Sequence, residues 1–310
     1  MSQPRVIHTA QALVDEVVEI AALPERGGNA MASSYHRYAG GAVTILLAAA
    51  RNGAAAVHAG SVGTGANGDL IRSVLAAERI ALSSPAVPDV DTGICVVMVE
   101  PSAERTFVTT RGAERQITPA SLGTSAPVAG DLVCVSGYTL LDPTRKPLQE
   151  WLIGLPRGVE VVLDPGDVFA SLPAEVVEAI LARTTVWTSN TDEATALTGE
   201  TDWAASARAV ASRLPADAVV VVRDGERGCV VLVAGELTEV AGFPQRAVDT
   251  NGAGDTHTGV LLASRARGVE WVAACRRANA GGAIKVTRKG PTTAPTSAEI
   301  DAFLAAADAG

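Results

Sequence analysis

Four consecutive valines, Val219–Val222, run straight into the turn RDGERG. A β-branched run without polar alternation belongs to a strand covered on both faces, and such a sheet needs helices above and below it. The same grammar recurs along the chain. Strand patterns at 5–10, 55–62, 131–137, 160–164, 185–190 and 218–225 are separated by Ala/Leu-rich helical patterns at 42–53, 68–80, 142–155, 172–184, 191–199 and 203–214. Strand–helix–strand repetition predicts an α/β fold with a mostly parallel central sheet between helical layers. A hairpin pattern at 228–243 and helical patterns at 254–268 and 269–286 follow, then a loop, a capped short helix and a frayed end. Aromatic content is only 4%, which suits helices packed closely on a sheet better than an aromatic-rich β-sandwich.

Two stretches break the rhythm. Residues 16–39 read as extended and loop-rich, and 91–112 as consecutive strands with no helix between. Together they predict a small separate sheet, an antiparallel flap placed as a lid beside the core. The bulk properties exclude several partners. A formal net charge of −9 supplies no basic face for general nucleic-acid binding. Cys95, Cys134, Cys229 and Cys275 form no Cys-x-x-Cys pair and read as buried, reduced thiols. His8, His36, His58 and His257 lack zinc-ligand spacing. The first residues carry no long apolar stretch of a secretory signal, and no run approaches the roughly 18 residues that span a bilayer. A cytoplasmic protein with no membrane partner is expected.

GSVGTGANGDL places Gly63, Gly65 and Gly68 in G-x-G-x-x-G spacing, with Asp89 and Asp91 about twenty residues on. That spacing makes a nicotinamide enzyme an alternative. However, it follows the second core strand, and its aspartates sit in a Pro-containing loop. A tight turn with a helix cap is the favoured reading. No G-x-x-x-x-G-K-[ST] occurs, which argues against a P-loop ATPase.

Three later stretches carry more. Asn190 and Glu193 end a strand and begin a helix, which a capping box explains. Gly225 and Gly228 read as turn residues after the valine strand. DTNGAGD, residues 249–255, resists a plain capping explanation, because Gly252, Ala253 and Gly254 are more small residues than a cap needs. Small residues let a ligand approach the backbone, and a helix start offers unpaired N–H groups and a positive dipole end.

The order of these stretches is specific. Asn-x-x-Glu, strand-x-Gly-x-x-Gly, DTNGAGD and ANAGGAIKVTRKG succeed one another. AGGAVTILLAAARNGAAAVHAGSVGTGANGDL stands at the front, and DTGICVVMVEPSAERTFVTTRGAE follows it as a lid-like segment. Over nearly the whole chain this resembles the PfkB carbohydrate kinases, with their three-layer ribokinase-like fold. The resemblance implies one kinase domain over residues 1–310, with a lid from about 16–39 and 91–115. It implies ATP-dependent phosphorylation of a sugar or sugar-like alcohol, at a primary hydroxyl.

By the same resemblance, Gly252, Ala253 and Gly254 aim amides at the transferring phosphoryl group. Asp255 accepts the proton of the attacking hydroxyl, kept ionised by the helix dipole. Asn190 and Glu193 organise Mg²⁺ and its waters. Arg223, Gly225 and Gly228 border the nucleotide, and Asn279 and Gly282 flank adenine. Asp249, with carbonyls near Arg288 and Gly290, corresponds to a monovalent-cation loop, which would take K⁺.

On the acceptor side, Asp15, near the end of the first strand, holds substrate hydroxyls, and Gly40 and Gly41 let the sugar lie against backbone. Thr44 replaces an asparagine usual in ribokinases, and Tyr138 falls near a sugar-contacting glutamate; both departures count against ribose itself. Arg105 and Arg111 stand in the lid segment, where they would meet an anionic substituent or simply solvent. His257 reads as a helix residue that packs or points outward. Lid strands in this family pair between subunits, so a homodimer is expected. A nucleoside kinase on the same fold is the rival enzyme. A non-catalytic sugar or nucleotide sensor is the rival class, and it predicts a broken Asp255 or Asn-x-x-Glu, both of which are intact.

Overall fold

The computed structural model describes residues 3–102 and 104–309. The strands are β1 Arg5–His8, β2 Ala12–Glu19, β3 Ser34–Gly41, β4 Ala55–His58, β5 Ala81–Leu82, β6 Ile94–Val99, β7 Arg105–Thr109, β8 Leu132–Ser136, β9 Glu160–Asp164, β10 Val186–Asn190, β11 Val219–Arg223, β12 Gly228–Val233 and β13 Glu236–Ala241. The helices are α1 Ala42–Arg51, α2 Ala66–Ala77, α3 Pro119–Gly123, α4 Arg145–Ile153, α5 Ala174–Leu181, α6 Thr191–Thr198, α7 Trp203–Ala211, α8 Ala253–Ala266, α9 Trp271–Val286 and α10 Ser297–Ala309.

The large sheet has the order β13-β12-β11-β10-β9-β8-β1-β4-β5. It is parallel from β5 to β11, and the β12–β13 hairpin closes one edge in antiparallel fashion. The valine strand behaves as its composition requires. Val220 and Val222 join a cluster with Trp151, Phe169, Trp187 and Trp203 on one face. Val219 and Val221 join Val260, Leu261 and Ala278 on the other. The helical layers are therefore α4, α5 and α7 on one side and α1, α8 and α9 on the other. Where α1 meets α8, a Cβ at Gly259 would collide with the Ile45 carbonyl, so glycine there sets the close approach of the helices.

A second, four-stranded sheet has the order β3-β2-β6-β7. The segment read as extended and loop-rich at 16–39 supplies most of an antiparallel pair, Ala12–Glu19 with Ser34–Gly41, but the sheet is mixed rather than an antiparallel flap, because β2 and β6 run parallel. Non-local pairing of β2 with β6 stabilises it, and no pattern internal to 16–39 reveals that. Asp15 consequently lies within β2, on the small sheet, rather than near the end of the first core strand. The dinucleotide-like glycines make a turn and cap. The Asp91 carboxylate accepts from the amides of Asn67 and Gly68 at the start of α2, at 3.1 and 2.9 Å. A side chain at Gly65 would displace that carboxylate. All four cysteines are buried and unpaired. Among the described residues no helix is long and apolar enough to cross a membrane.

Candidate active site

Parallel strands bring their carboxyl ends to one rim, where α/β sheets bind ligands. Register sets Ser136 beside Asp164 on β8 and β9, and Asn190 beside Arg223 on β10 and β11. The first turn of α8 lies over this rim. Together they enclose a cavity of about 560 Å³ lined by Asp164, Asn190, Glu193, Arg223, Gly225, Gly228, Gly252, Ala253, Gly254, Asp255, His257, Asn279 and Gly282. A second cavity of about 360 Å³ adjoins it across Ala247 and Thr250. The small sheet lines that one, through Val17, Glu19, His36, Tyr38 and Arg105.

Gly252 caps α8 with φ 77°, a left-handed conformation that a non-glycine residue adopts at a cost. A Cβ there would also come within 2.9 Å of the Pro291 carbonyl oxygen and 3.1 Å of Thr44 Cγ2. Thr44 thus packs, buried, beneath the loop. The amide of Ala253 is turned back onto the Thr250 carbonyl at 3.2 Å. Gly254 and Asp255, in the first helical turn, have no intrahelical acceptor for their amides.

Asp255 departs from expectation. Its carboxyl is pushed up to about 7, chiefly by burial and then by the Asp164 carboxylate, with Arg223 pulling it down. The helix dipole does not keep it a strong acid; desolvation and like charges win. Arg223 braces the rim: its guanidinium donates to the carbonyls of Ser189 at 3.1 Å and Gly254 at 2.8 Å, and to Thr258 Oγ1 at 3.0 Å. It also lies 4.0 Å from Glu193 Oε2.

Asn190 and Glu193 form a reciprocal capping box on α6. Both also line the cavity, so capping fixes the two side chains at its wall. Glu193 is raised to about 7 by burial and by Asp164. Two crowded, desolvated carboxylates of this kind fit a divalent cation, which takes hard oxygen ligands and relieves their repulsion. Asn279 donates to the carbonyls of Val240 and Ala241 at 3.0 and 3.1 Å, and its Oδ1 lies 3.1 Å from His257 Nε2. His257 is therefore buried and held, facing the cavity rather than solvent.

On the small sheet, burial raises Asp15 to about 7, and its charge reaches Asp255. Gly40 and Gly41 have immediate internal reasons. A Cβ at Gly40 would occupy the Asp15 carboxylate, and one at Gly41 would strike the Gln11 carbonyl oxygen. Arg105 donates to Thr250 Oγ1 at 2.7 Å and lies 3.8 Å from Asp249 Oδ1, tying β7 to the signature loop. Arg111 is exposed and lines neither cavity. Tyr138 also lines neither; its ring covers Gly166 and its hydroxyl donates to Asp167 at 2.5 Å.

Two residues escaped the sequence reading. Asp164 ends β9 at the centre of the rim, and its signal was an aspartate closing a buried strand before Pro165 and Gly166. Lys285 is a lone cation in the apolar stretch AGGAIKV and is fully buried against the Asp249 carbonyl at 2.8 Å.

Comparison with known proteins gives the family and the fold. The family model described as pfkB family carbohydrate kinase matches residues 9–298. The uncharacterized sugar kinase YegV of Escherichia coli (strain K12) is 30% identical over 298 residues, covering 95% of this chain and 92% of its own. The ribokinase of Haemophilus influenzae is 28% identical, covering 94% and 95%. Among solved structures, adenosine kinase from Sinorhizobium meliloti superposes with a TM-score of 0.83 at 19% identity, over 100% of both chains. Ribokinase from Giardia lamblia gives 0.83 at 21%, over 98% and 99%. Sugar and nucleoside kinases thus share this fold, and the chain belongs to the PfkB family of carbohydrate kinases.

Proposed function

We propose that the protein transfers the γ-phosphoryl group of ATP to a hydroxyl, a primary one, of a sugar or sugar-like acceptor. The observation that carries this reading is the placement of Asp255: it stands in the first turn of α8 and lines the large cavity together with Gly252, Ala253, Gly254, Asn190 and Glu193, its carboxyl pushed up to about 7 by desolvation and the Asp164 carboxylate. A base tuned close to neutral pH accepts the hydroxyl proton as the O–P bond forms and the bond to ADP breaks. The amides of Gly254 and Asp255, with that of Gly252, stabilise charge on the phosphoryl oxygens, while the Ala253 amide, held by Thr250, fixes the turn that aims them. Asn190, Glu193 and Asp164 would hold Mg²⁺, directly or through water, and the ion would neutralise phosphate charge. Arg223, Gly225, Gly228, Asn279 and Gly282 form the nucleotide side. Asp15 accepts hydrogen bonds from acceptor hydroxyls.

The small sheet acts as the lid of a single kinase domain, and two copies associate through it. A sugar rather than a nucleoside acceptor is favoured by the likeness to a protein named as an uncharacterized sugar kinase, at 30% identity over most of both chains, and to a ribokinase at 28%.

The test is ADP release with Mg·ATP across pentoses, hexoses, phosphorylated sugars, polyols and nucleosides. Turnover is expected on one sugar class, with kcat/KM falling as pH drops through about 7, where Asp255 protonates. Asp255→Asn should lower kcat by about 10²–10⁴-fold while retaining ATP binding. Full activity in that variant would remove Asp255 from the mechanism, and turnover on nucleosides alone would reassign the acceptor.

A further inference from the structure

The loop where resemblance implies K⁺ is filled from within. A monovalent-cation site needs several oxygens converging on a volume the ion can enter. Here Lys285, in the last turn of α9, is fully buried and delivers its ammonium group to those oxygens. Lys285 Nζ donates to the Asp249 carbonyl at 2.8 Å and lies 3.5 Å from the Arg288 carbonyl and 4.0 Å from Asp249 Oδ2.

The Asp249 carboxylate is engaged as well. Asp249 Oδ1 accepts from the Asn251 amide at 2.8 Å, and Oδ2 from the Gly290 amide at 2.9 Å. Arg105 stands 3.8 Å from the same carboxylate. An added K⁺ would lie against an ammonium and beside a guanidinium, so these residues do not fit it. An ammonium is a compact point charge with three donors, able to satisfy oxygens that would otherwise converge on an ion.

We infer that Lys285 is a tethered replacement for the monovalent cation: it holds the Asp249–Gly252 loop, and with it the amides at the start of α8, without K⁺. The inference rests on the kinase reading for its catalytic consequence, though not for its structural one. Lys285 is a positioning residue, acting through Asp249 and Asn251 on the turn that leads into Gly252.

The test compares KCl with tetramethylammonium chloride at equal ionic strength. For the wild-type protein, the Tm and the affinity for Mg·ATP should be the same in both salts, and kcat/KM should change by less than about twofold. A Tm or kcat/KM that rises several-fold or by several degrees with K⁺, saturably, overturns the inference without any variant. Lys285→Ala opens the volume. In tetramethylammonium it should lose at least about tenfold in kcat/KM, and K⁺ or methylammonium should restore both activity and Tm. A folded Lys285→Ala protein that is fully active without K⁺ overturns the inference. So does a folded, impaired one that neither cation rescues. If the variant does not fold, the wild-type salt comparison decides. Should no acceptor be turned over, the kinase reading has failed, and the Tm and Mg·ATP comparison still judges the lysine.

Discussion

Methyl groups added at residues 40 and 41 would do different damage, although the two glycines are adjacent and the family resemblance gave them one role. At Gly40 the atoms nearest the new Cβ all belong to the Asp15 side chain, which can rotate away. At Gly41 it meets the Gln11 backbone carbonyl, and φ is already 62°. Gly40→Ala should therefore fold normally, with Asp15 displaced: KM for the acceptor rises by about tenfold or more while KM for ATP holds. Gly41→Ala should lose about 1–3 kcal/mol of stability, seen as a lower Tm, before any effect on substrate. Equal effects of the two on acceptor KM and Tm would contradict this division. The sequence offered the pair as a place for a sugar to approach backbone. It does not reveal that side chain and carbonyl already occupy the missing Cβ positions, since Asp15 and Gln11 are distant in sequence and are brought beside the glycines by the pairing of β2 with β3.

At the scale of elements, three carboxyls raised to about 7 sit on β2, α6 and α8: Asp15, Glu193 and Asp255. The two on helices lie in first turns, where a dipole ordinarily favours ionisation. Burial, the largest cause in each case, overrides it. A carboxyl whose folded pKa exceeds its unfolded one binds more protons in the folded state, so its contribution to stability falls as pH rises from about 4 to about 7. His8 and His58 act oppositely: burial holds them down, to about 3 and about 4, so protonating them in the unfolded chain costs stability below the ordinary histidine range. The wild-type curve is a sum of both trends, and a variant difference isolates one. Asp255→Asn, without ligands, should gain Tm over wild type progressively between pH 4 and 7 and hold a constant gain above, by calorimetry. A gain independent of pH would mean that Asp255 does not titrate there.

The elements themselves are largely legible, because a short β-branched run bounded by turn residues marks a doubly covered strand and an amphipathic helix carries its own period. The Asn190–Glu193 box was legible as a cap, and the capping geometry is also what aims both residues at the cavity, so pattern alone could not separate the roles. Asp164 was not picked out, because its place on the rim depends on which strands are neighbours.

The whole molecule leaves one feature unbalanced. The small sheet ends in β7, where successive residues Phe107 and Val108 are 57% and 56% exposed. Neighbouring strand residues face opposite sides, so both faces of this edge strand present apolar surface to water. On the other edge, β3 exposes Tyr35. Monomers blunt such edges with charge or cover them. The polar partners of this sheet are instead spent holding it to the body: Arg105 to Thr250, and Lys289 to Glu19. A second copy pairing along the sheet would cover Phe107 and Val108. Phe107 shares its face with Arg105, which lines the second cavity, so that contact would also shield the acceptor side from water. Light scattering should then give twice the chain mass at micromolar concentration. Phe107→Glu combined with Val108→Lys should give a monomer of unchanged Tm and ATP affinity, with a higher KM for the acceptor alone. A monodisperse wild-type monomer would remove the dimer. A monomeric double variant with unaltered acceptor KM would keep the dimer but uncouple it from the site, leaving closure of the small sheet to each chain by itself.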